Sequence, residues 1–246
     1  MKFIAVIPAR YAASRFPGKL LQALGDKSVL AHTYLAVKNA AVFDEVIIAT
    51  DHQIIVDAMR DYNAQVVLTS PDHTSGSDRI AEAVSHLNID VVVNVQGDEP
   101  FIHHETLHLL KNAFENDVNE MIDVVTLKEK ISHTAEIQNP NLVKVITDKD
   151  DFAIYFSRAT IPYQRDTGFV APYFKHIGVY AFRKNALMKF SQLPPGILEQ
   201  SEKLEQLRYL ENGFKIKVIE TDKKTIGIDT PEDLEAAIRF LREMEQ

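Results

Sequence analysis

Arg10, Arg15 and Lys19 stand close together in the string Pro8-Ala9-Arg10-Tyr11-Ala12-Ala13-Ser14-Arg15-Phe16-Pro17-Gly18-Lys19. Guanidinium groups offer forked donors that match phosphate oxygens, and a lysine adds a mobile point charge. Three such cations in one loop suit a phosphate-bearing ligand. The first 25 residues hold four basic side chains and no acid, although the whole chain carries a net charge of −8. The string is not a Walker A loop, because Leu20 follows Gly18-Lys19 and the earlier glycine is missing. A solvated basic loop is the other reading of the same residues.

Two carboxylates join this list. Asp98 lies in Val93-Asn94-Val95-Gln96-Gly97-Asp98-Glu99-Pro100, just past an apolar run. A carboxylate beside a phosphate-binding cluster is unfavourable unless a cation sits between them, which makes Asp98 a candidate Mg²⁺ ligand. Gly-Asp-Glu-Pro is also ordinary turn composition. Asp229 precedes Thr230-Pro231-Glu232-Asp233, where Thr230 and Asp233 already account for a helix cap. Asp229 is then spare, and supplies a second metal carboxylate if the chain delivers it to the same rim. Ser75 and Gly76 open a further helix, where a hydroxyl and free amides can read a nucleobase or ribose, or serve only as an N-cap.

The elements that must position these groups follow from hydrophobic pattern. Residues 3–7 read as a central strand covered on both faces, ended by Pro8, which lacks an N–H for the ladder. Strands at 46–50, 65–68 and 91–96 alternate with helices at 29–39, 54–62, 75–87 and 105–116, the pattern of a parallel sheet with crossover helices. Loops at the carboxyl ends of such strands are where open α/β sheets bind ligands. The second half carries strand-like runs at 124–127, 142–147, 153–156, 176–182 and 216–219, with Pro-containing loops that suggest a mixed sheet. Helices are expected at 185–192 and 199–211, the latter capped by Gly213, and at 230–243. On the helix over 199–211 the leucines at 204, 207 and 210 form one face, so the acids read by default as solvated.

With 246 residues, 46% of them hydrophobic, the chain suffices for one large α/β domain, read here as a half over 1–117 and a half over 118–246. It has no cysteine, so disulfides and thiolate metal sites are excluded and any metal must be held by oxygen or imidazole. No leader and no long apolar window are apparent, so a cytoplasmic protein with no membrane partner is expected. The acidic balance argues against nucleic acid as a partner.

Taken together, these strings resemble the 3-deoxy-D-manno-octulosonate (Kdo) cytidylyltransferase family. The resemblance also rests on Ala49-Thr50-Asp51, Pro140-Asn141 with Val143-Lys144-Val145, Tyr155-Phe156-Ser157-Arg158, His176-Ile177-Gly178 and Leu204-Glu205-Gln206-Leu207-Arg208, and it runs almost the full length. It implies a Rossmann-like nucleotide-diphospho-sugar transferase fold with a mixed central sheet, CTP and Kdo as substrates, Mg²⁺, and a homodimer. By position it makes Arg10 and Lys19 triphosphate ligands, sets Pro8, Ala9, Ser75 and Gly76 near cytidine, and makes Asp98 and Asp229 the metal pair. Gln96, Arg158, His176, Tyr180, Glu205 and Gln206 correspond to the sugar pocket, with Arg15 at the junction of the two substrates. Arg10, Arg15, Lys19 and Asp98 are the implied catalytic set. Leu20 stands where the family usually has Pro and Ser77 where Thr is common. Some relatives act on the 8-amino form of Kdo, which leaves that sugar, or another acidic one, as the alternative substrate.

Overall fold

The computed structural model describes residues 1–12, 16–73, 75–166, 168–169, 171–223 and 226–244. In chain order the strands and α-helices are β1 (Phe3–Ala9), β2 (Ala23–Leu24), β3 (Lys27–Ser28), α1 (Val29–Asn39), β4 (Glu45–Thr50), α2 (Gln53–Ala58), β5 (Gln65–Leu68), α3 (Gly76–Val84), β6 (Val91–Asn94) and α4 (His104–Glu115). There follow β7 (Val124–Lys130), α5 (Thr134–Ile137), β8 (Lys144–Thr147), β9 (Ala153–Ser157), β10 (Phe174–Arg183), α6 (Lys184–Phe190), α7 (Ile197–Glu202), α8 (Gln206–Glu211), β11 (Ile216–Glu220) and α9 (Pro231–Met244). The chain divides into two compact units, residues 1–111 with 224–246, and residues 112–223. The C-terminal helix thus belongs to the unit that contains the first strand.

In the first unit four parallel strands lie in the order β6, β1, β4, β5. Strands β1 and β6 are apolar on both faces and almost wholly buried. The winding reverses between β1 and β6, and in open α/β sheets the crevice at such a reversal is where ligands bind. Pro8 does not end β1, contrary to expectation. Its pairing with β4 continues to Ala9 opposite Thr50. Val6 faces β6, since its carbonyl accepts from Val95 N–H at 3.1 Å, and Pro8, two residues on, faces the same side. The β6 ladder has already ended at Val6 opposite Asn94, so the missing N–H of Pro8 breaks no bond.

A buried cluster of Leu24, Val29, Ile228 and Ala237, with Phe101, Leu234, Ile238 and Leu241 packed on it, seats α9 against the β2–β3 hairpin. The hairpin turns at Gly25 with φ +67°, where a Cβ would stand 2.8 Å from Leu241 Cδ2. Thr230 and Asp233 cap α9 reciprocally, the Asp233 N–H donating to Thr230 Oγ1 at 3.2 Å and the Thr230 N–H to Asp233 Oδ2 at 2.9 Å. The expected cap is therefore present, and Asp229 takes no side-chain part in it.

In the second unit β7 is flanked by parallel β11 and antiparallel β10. Strand β8 pairs antiparallel with β9 and, at one register position, with β10. The single helix expected over 199–211 is two helices. Lys203 adopts φ +55° and closes α7, and α8 restarts after Glu205. Arg208 crosses the break to hold Glu199 by two bonds of 2.7 and 2.6 Å. Gly213, at φ +77°, ends α8 as expected.

Gly25→Ala should lower stability by about 1–2 kcal/mol, the usual penalty for a non-glycine residue in the left-handed region. Thermal melting checks it. An unchanged melting temperature would show that the hairpin relaxes away from α9.

Candidate active site

The loop after β1 and the loop after β6 meet at the switch point. Gly97 permits the approach, since a Cβ there would stand 3.1 Å from the Pro8 carbonyl and 3.3 Å from the Leu20 methyls. Thr33, buried on α1, donates its hydroxyl to the Gly97 carbonyl at 3.0 Å and fixes the β6 loop from below. The segment before α9 is tied to that loop by the Ile228 N–H, which donates to the Asp98 carbonyl at 3.0 Å. Asp229 is thereby delivered beside Asp98.

Both carboxylates close on Lys19. Its ammonium bonds Asp98 and stands 2.8 Å from Asp229 Oδ1. Desolvation acts to lower the Lys19 pKa, but the charges and hydrogen bonds of Asp98 and Asp229 outweigh it and hold the pKa above the ordinary lysine value. The neighbouring Glu99 shows the opposite balance. Burial first, and then the Asp98 charge, push its carboxyl up to about 7, and its Oε2 has no partner among the described residues.

A cleft of ≈ 420 Å³ opens on this cluster and is also lined by Pro8, Arg10, Phe16, Leu20 and Gln96. The Arg10 side chain is 55% exposed and lies 4.0 Å from Asp51, so its donors are open to a ligand. Asp51 follows directly on β4. It accepts from the Tyr11 N–H at 3.3 Å and from the buried Arg79 at 3.2 Å, and so anchors the start of the basic loop to β4 and α3. Gly76 lies against Pro8, 3.6 Å from a Cβ position to the proline ring. Ser75 is also the N-cap of α3, accepting from the Asp78 N–H at 3.1 Å. Arg15 lies outside the described residues.

The second unit gathers another polar group. Thr126, fully buried on β7, places its hydroxyl 2.9 Å from His176 Nε2 and within 3.1 and 2.9 Å of the Ile177 and Val179 carbonyls. A hydroxyl hydrogen given to either carbonyl would leave Nε2 to carry the imidazole proton and Nδ1 as an acceptor. Burial pushes the His176 pKa down to about 3, so the ring is neutral at physiological pH. Phe156 and Tyr180 flank it at centroid distances of 5.1 and 5.3 Å. Burial, and then the charge of Glu205, raise the Tyr180 phenol well above its usual range, which sets Glu205 electrostatically beside Tyr180. Gln206 is 6% exposed. Of the acids expected to be solvated on this segment, Glu199, Glu202 and Glu205 are half-buried and Glu211 is exposed. Arg158, at the end of β9, is held by Glu202 and Pro140. Arg158, His176, Tyr180, Glu205 and Gln206 all belong to this unit, whereas Gln96 belongs to the first. Sequence reasoning missed Thr126, which looks like any β-branched strand residue.

A family model described as cytidylyltransferase matches residues 4–221. A 3-deoxy-manno-octulosonate cytidylyltransferase of Christiangramia forsetii is 54% identical over 98% of this chain and 97% of its own. One of Flavobacterium johnsoniae is 52% identical over 99% and 100%. Among solved structures, a CMP:2-keto-3-deoxy-manno-octonic acid synthetase complexed with CTP superposes with a TM-score of 0.94 at 38% identity, covering 99% of this chain and 100% of that one. The fold is also shared with 4-diphosphocytidyl-2C-methyl-D-erythritol synthase of Anaerococcus prevotii, at a TM-score of 0.64 and 21% identity.

The low pKa of His176 has a pH consequence with a definite sign. Between its unfolded value of 6.5 and about 3 the unfolded chain binds a proton that the folded chain does not, so stability is lost as pH falls through that window and is fully present above it. Nitrogen-15 spectra of the ring should show a neutral Nε2–H tautomer at pH 5, and Thr126→Val should abolish the tautomer preference. A protonated His176 at pH 5 would contradict the burial.

Proposed function

The chain belongs to the family of 3-deoxy-manno-octulosonate cytidylyltransferases, and from that membership we propose that it transfers CMP from CTP to the anomeric hydroxyl of Kdo. CMP-Kdo, a precursor for lipopolysaccharide, and pyrophosphate are the products. The observation that carries the reading is the meeting of Asp98 and Asp229 on one cation, in a cleft that also holds Arg10 and Gln96.

The anomeric oxygen of Kdo attacks the α-phosphorus of CTP. A new O–P bond forms, the bond from the α-phosphorus to the bridging oxygen breaks, pyrophosphate leaves with the electron pair, and the hydroxyl proton is lost. Such a transfer needs mostly placement and charge stabilisation from the protein. Arg10 and Lys19 bind phosphate oxygens, and Arg15 joins them by resemblance. Pro8, Ala9, Ser75 and Gly76 form the cytidine side.

Asp98 and Asp229 are an all-oxygen pair from two segments already drawn to one positive charge. Such a pair fits Mg²⁺, which takes one or two protein carboxylates and completes its shell with water and phosphate oxygens. Among the described residues no cluster of three or more His, Asp or Glu side chains exists to hold a metal, so Asp98 and Asp229 would hold the ion as a pair, in company with a phosphate-bearing substrate. When bound, Mg²⁺ supplies charge neutralisation on the triphosphate and a lowered pKa for the attacking hydroxyl. With CTP present, the Lys19 ammonium has phosphate oxygens as alternative partners to the carboxylates.

In the second unit Arg158 offers its guanidinium to the Kdo carboxylate, and His176 Nδ1, Tyr180, Glu205 and Gln206 offer partners to sugar hydroxyls. Gln96 is assigned to the sugar by the family resemblance alone. Exposed Ile154, Tyr163, Phe169 and Ile197 in this second unit support a homodimer that covers them. No helix among the described residues is long and apolar enough to cross a membrane. The net charge of −8 speaks against nucleic acid.

Pyrophosphate release should require CTP, Kdo and Mg²⁺ together, and a parallel assay with 8-amino-Kdo separates the alternative substrate. Asp98→Asn should fold and lose about a hundredfold or more in turnover, the scale on which charged groups at phosphoryl-transfer sites act. Wild-type turnover of this variant at saturating Mg²⁺ would remove Asp98 from the site. Sedimentation should give a particle of twice the 27.8 kDa chain mass, and a monomer would overturn the dimer.

A further inference from the structure

The motif Val143-Lys144-Val145 has no part in the chemistry above, yet Lys144 is 0% exposed. Its ammonium donates to the carbonyls of Asn139 at 2.9 Å, Leu142 at 2.7 Å and Arg158 at 2.7 Å. An ammonium has three donors, so all are used and none remains for a ligand. Glu202, the last residue of α7, holds Arg158 from the other side. One carboxylate oxygen accepts from Ser157 Oγ at 2.5 Å and the other from the Arg158 N–H at 2.9 Å, while the Glu202 carbonyl accepts from Arg158 Nε at 2.8 Å. Arg158 Nη1 donates to the Pro140 carbonyl at 3.1 Å.

The guanidinium of Arg158 is therefore fixed in place by two neutral carbonyls and by no carboxylate. Its Nη2 donates to no group among the described residues. Glu202 spends its charge on a hydroxyl and a backbone amide, so the bonded group of Lys144, Arg158 and Glu202 carries two positive charges against one negative. A half-buried cation left over in this way is poorly solvated, and it favours an incoming anion. Burial, and then the charge of Arg158, lower the pKa of Lys144, with Glu202 opposing.

We propose that Lys144 and Glu202 are positioning residues that lock Arg158 with its Nη2 edge open and its charge unspent, so that it receives the carboxylate of the sugar acid. The proposal rests on the reading of Arg158 as the carboxylate anchor. Neither residue touches substrate, and both act through Arg158.

Steady-state kinetics on four variants test this. Arg158→Ala should raise the KM for Kdo and leave the KM for CTP within about twofold, as for loss of a charge-assisted bond to one substrate only. Lys144→Met and Glu202→Gln should do the same to a smaller degree, about five- to tenfold in the KM for Kdo. In the double variant Arg158→Ala with Glu202→Gln, the KM for Kdo should be no worse than in Arg158→Ala alone, because the second residue acts through the first. If Lys144→Met fails to fold, the Glu202 cycle decides alone. A lower melting temperature with both KM values unchanged in Glu202→Gln, or additive penalties in the double variant, would overturn the positioning role while leaving Arg158 as anchor. A wild-type KM for Kdo in Arg158→Ala would instead overturn the anchor, and the positioning role with it.

Discussion

Two carboxylates from remote parts of the chain share one cation, and the architecture of the first unit serves that contact. Like charges about 4 Å apart repel by roughly 4 kcal/mol at an effective dielectric of 20, so Asp98 and Asp229 do not come together unaided. The approach is enforced by neutral structure. Ile228 hydrogen-bonds the Asp98 carbonyl and is itself buried in the cluster that seats α9 on the hairpin. Thr33 fixes Gly97 from the other direction. Lys19 then relieves the repulsion that these contacts impose, and a divalent ion with a triphosphate would relieve it more fully. A chain that folds around a local surplus of negative charge is prepared for a cation.

The second unit solves the opposite problem. There the ionic group built from Lys144, Arg158 and Glu202 leaves positive charge in surplus, while the imidazole of His176 is kept neutral by burial. The surplus is maintained because the hydrogen bonds of Arg158 run to carbonyls, which orient a guanidinium without cancelling its charge. Glu199 and Arg208 show the alternative within the same few turns of chain. Their bidentate pairing cancels both charges, and it fastens α7 to α8 across the break at Lys203. One ion pair serves structure, and the unbalanced one is left available.

How far the sequence discloses this depends on whether a residue acts by its own chemistry or through another. Helix α1 and the cap of α9 were legible because pattern and capping residues agree locally. The phosphate loop, Asp98 and Asp229 were legible as chemical types, and their meeting was not, since it depends on a tether between residues 98 and 228. Pro8 misled because a proline ends a strand only when its missing N–H faces a partner, and that orientation is a property of the sheet. Lys203 misled because a left-handed lysine carries no compositional mark. The contacts of Thr126, Lys144 and Glu202 were invisible, these being an ordinary strand threonine, a strand lysine and a helix glutamate whose partners are mostly far along the chain.

Both proposed substrates are anions, and the protein that receives them carries a net charge of −8. Its overall field therefore opposes their approach, and long-range steering of the kind that speeds association cannot be the source of binding. Recognition must come from charges at contact range, inside one Debye length of the ligand. This is why the basic groups are concentrated in a loop free of acids and in a cluster with one carboxylate too few. A cation exposed on a surface is largely screened by salt, whereas Lys19, at 13% exposure, and Lys144, at 0%, are shielded from it. The positive surplus of the second unit thus outweighs an adverse net charge because it acts where the dielectric is low and the distance short.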